Sequence, residues 1–296
     1  MENAENQNRL SALSAAVNVA LVAGQLIAQA HSRSTSTAVK DGNTADLVTS
    51  TDFACQKLIQ STLLDAFPTY SFIGEEAPYD PLTASPTWIV DPVDGTTNFV
   101  HGFPSVCVSI GLVIDKQSVL GVVYNPITRQ LFYASKNNGS FRIDNTPATL
   151  VFTHGMGVRL TATAGFPTRL DRALVCTEYG ASKHLEHLAP KLDMIRTLLT
   201  HIRGIRSLGS AALSMCMVAQ GSVDFYYEAG THVWDICAGV CIVEESGGGV
   251  LGFDGGKVDL CARCLVAVRS GWKENGAKEC VDDLIGHMQP MEYERD

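Results

Sequence analysis

From Leu10 to Ala30 the chain carries no charge, and Leu10, Leu13, Val17, Leu21, Gly24 and Ala28 recur at helical spacing. Ser11, Ser14, Asn18, Gln25 and Gln29 interrupt that run on one helical face. The pattern predicts an amphipathic helix packed on a core, rather than a membrane span, ending near His31. Residues 32–44, rich in Ser, Thr, Gly and Asn, predict a loop, and residues 52–67 a second helix. A short strand at 71–74 precedes a Pro-rich loop at 77–86. Strands follow at 87–90, 106–114, 118–124 and 130–135, with Asn-Pro and Asn-Gly turns nearby. This meander predicts an antiparallel sheet.

From about residue 149 the texture changes. The pattern predicts strands at 173–177, 205–208, 223–228 and 265–268. Between them lie a helix running to 199, with Pro190 in its first turn, and helices at 210–219 and 234–245. Alternation of this kind predicts an α/β lobe. The mixed α/β class (α+β) is therefore expected, in one compact unit with an N-terminal lobe over 1–148 and a C-terminal lobe over 149–296.

Composition narrows the partners. The 296 residues carry a net charge of −9, which argues against nucleic acid or an anionic membrane as partner. The N-terminus lacks the basic segment of a secretory signal. Nine cysteines are scattered through mostly apolar runs with no spaced framework, so a reducing, cytoplasmic setting is expected. Cys261 and Cys264 have CxxC spacing without a second pair, and a metal or redox role is not assigned to them. Asn138-Gly139-Ser140 reads as a turn.

The segment with the most chemistry is Trp88-Ile89-Val90-Asp91-Pro92-Val93-Asp94-Gly95-Thr96-Thr97-Asn98-Phe99. An apolar run ends in two carboxylates three residues apart, followed by N–H groups and hydroxyls at Gly95, Thr96 and Thr97. Carboxylates attract a divalent metal and oriented N–H groups attract an anion, so the combination suits metal-assisted attack on a phosphate ester. The plain alternative is an Asp-capped turn. Glu75 and Glu76 are adjacent on a strand end, so only one can face a site directly. Asp235 opens an apolar helix, and the plain reading there is a helix N-terminal acid. His232 lies close by without a catalytic role being assigned to it.

Taken together, Gly74-Glu75-Glu76, Asp91-Pro92-Val93-Asp94-Gly95-Thr96 and Trp234-Asp235-Ile236-Cys237-Ala238-Gly239 resemble the inositol monophosphatase family over nearly the whole chain, to about Arg269. The resemblance implies a layered α-β-α-β-α sandwich with the site between the lobes. It implies magnesium, two and up to three ions per site. One would be held by Glu75, Asp91 and the Val93 carbonyl, activating water. A second, held by Asp91, Asp94 and Asp235, would neutralise the leaving oxygen. Thr96 with Glu75 would orient the water, with Asp52 supporting Thr96. Gly95, Thr96, Gly209, Ser210, Ala211, Glu228, Asp94, Asp235 and Glu75 would contact substrate, with Glu228 accepting from an inositol hydroxyl. The implied activity is lithium-sensitive hydrolysis of inositol monophosphate to myo-inositol and phosphate, by a homodimer.

The chain departs from the pattern after Thr177-Glu178-Tyr179-Gly180, where Ala181 stands in place of a substrate-contacting serine. Either Ser182 substitutes or one contact is missing. Alternatives within the superfamily are a 3′-phosphoadenosine nucleotidase, a fructose-1,6-bisphosphatase and a histidinol-phosphate phosphatase. The short interval from Ala77 to Val90 favours the monophosphatase over the nucleotidase. A non-catalytic polyol-phosphate-binding relative is the alternative from another class, opposed by the presence of all four acids.

Overall fold

A computed structural model describes residues 2–31, 37–39, 47–161, 165–180, 182–274 and 276–296. The N-terminal half runs α1 (Glu2–His31), β1 (Thr37–Val39), β2 (Leu47–Thr49), α2 (Ser50–Ala66), β3 (Ser71–Gly74), β4 (Thr87–Asp94), α3 (Thr96–His101), β5 (Cys107–Ile114), β6 (Gln117–Asn125), β7 (Gln130–Ser135), β8 (Gly139–Ile143) and β9 (Val158–Leu160). The C-terminal half runs β10 (Leu174–Thr177), α4 (Leu185–Leu198), β11 (Gly204–Arg206), α5 (Ala211–Ala219), β12 (Phe225–Ala229), α6 (Val233–Glu245), β13 (Gly249–Leu251), β14 (Cys264–Val268) and α7 (Ala277–Gly286).

Strands β3 to β9 form a seven-stranded sheet in sequence order, antiparallel except for the parallel β3–β4 pair. A five-stranded sheet has the order β11-β10-β12-β14-β13, with β10 parallel to both neighbours and β14 antiparallel to both of its own. The large sheet continues to Leu160, beyond the lobe boundary expected at residue 148. The meander and the β/α alternation are both present, and the fold is mixed α/β as expected.

Three apolar clusters define the layers. Alternate residues of the large sheet, among them Trp88, Val90, Ile110 and Val122, pack with Leu13, Val17 and Ile59 of α1 and α2. Ile89, Val123 and Phe132 face the other way, onto α5 and α6. Cys176, Tyr226, Leu265 and Ala267 of the small sheet close the same central layer. Val175, Phe225, Tyr227 and Val266 point outward onto Met194 and Leu198 of α4 and Val281 of α7. Period-two alternation in the strands thus yields the α-β-α-β-α stack. Helix α1 is long and apolar enough to cross a membrane by length and composition, yet Leu13, Val17 and Leu21 are buried on the sheet while Ser11, Asn18 and Gln29 are exposed.

Helix α6 lies unusually close to the large sheet. A Cβ on Gly121 would stand 2.1 Å from the Ala238 carbonyl oxygen, so only glycine permits the approach. Inserting that methyl should cost about 1–3 kcal/mol by overpacking.

Several boundaries differ from expectation. Helix α4 starts at Leu185, so Pro190 sits inside it rather than in its first turn. Strand β4 runs on to Asp94 instead of stopping at Val90. Its pairing with β5 shifts between Asp91 and Asp94, the bulge that accommodates Pro92. Strands β8, β9 and β13 and helix α7 were not predicted. The loop expected at 32–44 lies mostly outside the described residues, apart from the short strand β1 within it.

Candidate active site

The bulge at the end of β4 builds the first wall. Once β3 has ended, with Glu75 N–H still donating to the Val90 carbonyl at 3.2 Å, Pro92 has no ladder partner to lose on that side. Asp91 then accepts from the Val93 N–H at 2.9 Å, an Asx turn that fixes its carboxylate. Gly95 takes the left-handed conformation (φ 92°) and lets the chain enter α3, whose first turn closes by Phe99 N–H donating to the Gly95 carbonyl. The Thr96 hydroxyl donates to the Val93 carbonyl at 3.2 Å.

The second wall belongs to α5 and α6. Asp94 accepts from the Ser210 hydroxyl at 2.6 Å and from the Ala212 N–H at 2.9 Å. The start of α5 is therefore bound to a carboxylate of the protein itself, which locks the two halves together at this point. Asp235 sits in the first turn of α6 and accepts from the His232 N–H at 2.6 Å. Asn98 completes the joint by donating to the Ser105, Leu208 and Gly209 carbonyls.

These elements enclose a cavity of about 360 Å³. Its walls include Glu75, Asp91, Asp94, Gly95, Thr96, Gly209, Ser210, Ala211, Glu228 and Asp235, so ten of the residues expected from the sequence come together. Two do not line it. Val93 is buried with its carbonyl turned to Thr96, and Asp52 is buried in the first turn of α2. Glu75 reaches the wall while Glu76 does not; the Glu76 N–H instead donates to the Gln56 side chain at 2.9 Å.

The acids repel one another. Burial, followed by the charges of Glu75, Asp94 and Asp235, pushes Asp91 well above the ordinary carboxylate range. Burial and then Glu75 and Asp94 do the same to Asp235. Asp94 is pushed up to about 6 by burial, against the hydrogen bonds from Ser210 and Ala212. No lysine or arginine is among the largest influences on these three groups. Among the described residues, no three His, Cys, Asp or Glu side chains are gathered closely enough to hold a metal ion as they stand. Four carboxylates from three chain segments share the cavity. An all-oxygen, histidine-free set of this kind suits a hard divalent cation, and the Val93 carbonyl keeps a second lone pair beyond the one Thr96 uses.

The polyol side differs from expectation at two points. The N–H groups of residues 208–212 were expected to meet substrate hydroxyls. Instead Leu208 and Gly209 N–H donate to Glu178 at 2.5 and 2.8 Å, and Ala212 N–H is taken by Asp94. What this segment offers the cavity is the Glu178 carboxylate, which also accepts from the Ser207 hydroxyl at 2.6 Å. Ser182 does not substitute for the missing serine: it bonds within its own loop, to His184 N–H and His187 Nδ1, and does not line the cavity. Ala181 lies outside the described residues.

Glu178, Asn98 and Lys183 also line the cavity and were not singled out from the sequence. Glu178 had a signal: it directly follows a predicted strand of an α/β lobe, where ligand residues concentrate. Asn98 lay within the segment that ends β4 but was given no role, and Lys183 had no signal. His232 is accounted for by packing. Its ring stacks on Trp234 at 4.5 Å, Arg263 donates to Nε2, and Nδ1 therefore donates to Asp296 at 2.7 Å.

Comparison with known proteins agrees with this arrangement. Residues 9–283 match the Inositol monophosphatase family. Inositol monophosphatase 2 of Solanum lycopersicum is 41% identical over 265 residues, spanning 88% of this chain and 94% of that protein. Inositol monophosphatase 1 of Bos taurus is 38% identical over 257 residues, spanning 85% and 87%. The solved inositol monophosphatase from Anabaena (Nostoc) sp. PCC 7120 superposes with a TM-score of 0.74 at 26% identity, covering 94% of this chain and 97% of that one. With the three motifs gathered at one cavity and a family match along nearly all of its length, the chain belongs to the inositol monophosphatase family.

Proposed function

We propose that this chain is a phosphoric monoester hydrolase that converts inositol monophosphate to myo-inositol and phosphate with magnesium. The observation that carries the reading is the gathering of Glu75, Asp91, Asp94 and Asp235, from distant segments, on one cavity that also holds Glu178 and Glu228. In this reading Glu75, Asp91 and the Val93 carbonyl hold one ion, and Asp91, Asp94 and Asp235 a second. Bound there, magnesium lowers the pKa of water and offsets charge on the departing oxygen.

The chain's own groups do the rest. Gly95 and Thr96 present N–H groups to the phosphate. Glu75 and Thr96 orient the attacking water, with Asp52 supporting Thr96 from α2. Glu228 and Glu178 accept hydrogen bonds from ring hydroxyls. Positioning and charge neutralisation suffice, because phosphoryl transfer passes through a loose transition state. A cytoplasmic homodimer is the setting we propose, supported on the first point by nine unpaired cysteines. The test is phosphate release from a panel containing inositol monophosphate, fructose bisphosphate, histidinol phosphate and a 3′-phosphonucleotide, with and without magnesium. Preference for a substrate other than inositol monophosphate overturns the assignment.

A further inference from the structure

Glu228 is buried (7% exposed) in β12, and its Oε2 accepts from the hydroxyl of Tyr226, two residues back on the same face. A second group acts on it from α4. Lys191 is only 4% exposed, although a lysine is almost never buried without a partner. Its ammonium donates to the Tyr179 carbonyl at 3.2 Å. Two glycines make room for it: a Cβ at Gly180 would stand 2.8 Å from Nζ, and one at Gly230 3.2 Å. The Tyr293 ring lies 5.8 Å from the same ammonium. Gly180 lines the active cavity and Gly230 lies two residues beyond Glu228. The lysine thus sits under the polyol end of the site, outside its wall.

Lys191 and Glu228 are electrostatically matched. The Glu228 charge is the strongest charge acting on Lys191, opposing the effect of burial, which lowers its pKa. Lys191 is in turn the strongest cationic influence on Glu228, which burial and the Glu178 charge push up to about 8. The Tyr226 hydroxyl fixes one carboxyl oxygen of Glu228, so the direction in which the other faces a ring hydroxyl depends on what holds the side chain.

We infer that Lys191 and Tyr226 are positioning residues that fix the place of the Glu228 carboxyl group, so that this buried trio, rather than Glu228 alone, sets the preference for polyol phosphates. The inference rests on the proposed function. Removing the lysine acts at a distance on substrate choice and spares the chemistry at the acids.

The test compares Lys191→Met, Tyr226→Phe, Glu228→Gln and the Lys191→Met/Glu228→Gln pair on inositol monophosphate and on an aryl phosphate without ring hydroxyls. Lys191→Met should raise KM for inositol monophosphate about 10-fold and Tyr226→Phe about 3-fold, with kcat and the aryl phosphate efficiency within about 2-fold of wild type. The double variant should be no worse than Glu228→Gln. Equal losses on both substrates, or additive losses in the double variant, would overturn the inference. If Lys191→Met does not fold, Tyr226→Phe decides, because an unchanged ratio of the two efficiencies is then incompatible with a carboxyl group held in place by Tyr226. Failure of the proposed function looks different: the wild type itself would not prefer inositol monophosphate. The same cycle is then run on the ring-hydroxyl phosphate it does prefer.

Discussion

On the β4 side of the cavity, Glu75, Asp91 and Asp94 share the space with Asp235; burial acts on all three aspartates, and like charge adds to it at Asp91 and Asp235. On the side supplied by the C-terminal half, Glu178 accepts from two backbone N–H groups and a serine, and Glu228 accepts from Tyr226 with Lys191 as a nearby cation. The residue type is the same, but a cation acts on the second side where Asp91 and Asp235 feel only like charge. Acids already satisfied by the protein are held in place and can read neutral hydroxyls. Acids left in mutual repulsion are waiting for cations. The metal-binding and substrate-reading roles can therefore be separated by mutation.

The largest effect should come from breaking the repelling side. Asp94→Asn and Asp235→Asn should each lower turnover by at least ~10³-fold with the protein still folded, because each removes charge aimed at the reacting group. Chelation by EDTA should abolish turnover, and magnesium should restore it. Steady-state phosphate release with circular dichroism as a folding control measures both. Full turnover in metal-free buffer would end the two-ion reading. Asp94 carries a second duty as the acceptor at the start of α5, so Asp94→Asn should also lower the melting temperature, whereas Asp235→Asn should do so less.

The satisfied side should give the intermediate effect. Glu228→Ala should lower kcat/KM for inositol monophosphate by about one to two orders of magnitude, the worth of a hydrogen bond to a charged group. Loss on an aryl phosphate should be far smaller. Equal losses would mean that Glu228 supports the acids rather than reading substrate, and the contrast between the two sides would dissolve.

How far the contrast could be read from the sequence follows from its causes. The repelling acids sit in compact motifs whose turn chemistry is local: Asp91 fixes itself on the Val93 N–H two residues on, and Gly95 supplies the positive φ. Local rules see such things. Helices α1, α2, α5 and α6 and the central strands were legible because long apolar runs carry their period. Strands β8, β9 and β13 and helix α7 were not, being short or only partly apolar. The satisfied side is built from long-range contacts. Glu178 meets residues 207–209, and Lys191 meets Tyr179 and brings its charge to bear on Glu228 through the packing of α4 on the small sheet. Nothing in a linear pattern marks a lysine at helical position 191 as buried. Likewise, the N–H groups after Leu208 look available in sequence until Glu178 and Asp94 are seen to occupy them.

The contrast also sets a pH dependence of stability. Asp94 and Glu228 stand at about 6 and about 8 in the folded protein, above the unfolded carboxylate range. Folding of the metal-free protein therefore takes up protons. The associated stability is fully present below about pH 4 and is lost as pH rises through those two values, at about 1.4 kcal/mol per pH unit per proton released. The melting temperature of metal-free protein should fall by several degrees between pH 5 and pH 8.5. Millimolar magnesium should offset the Asp94 part of the fall, more at high pH than at low, since ion binding there displaces that proton. A flat or rising profile without metal would mean that the acids are compensated after all.

The smallest expected effect is the sharpest check on where the repelling side ends. Glu75 and Glu76 are neighbours of one type, both half-buried, but only Glu75 lines the cavity. The backbone explains the split: Glu75 N–H is still bonded to Val90 as β3 ends, and Glu76 N–H turns to Gln56 of α2. Consecutive side chains at a strand end diverge, and only that of Glu75 reaches the cavity. Glu75→Gln should therefore cost turnover on the scale of the other cavity acids, while Glu76→Gln should change kcat/KM by less than about 3-fold, the range of a charge that does not touch the reacting atoms. Gln56→Ala gives the complementary reading: it removes the acceptor for Glu76 N–H and should lower stability by about 1 kcal/mol with little change in kcat. If Glu76→Gln proved as damaging as Glu75→Gln, the repelling cluster would hold five acids instead of four, and the ion count it can neutralise would have to be drawn again.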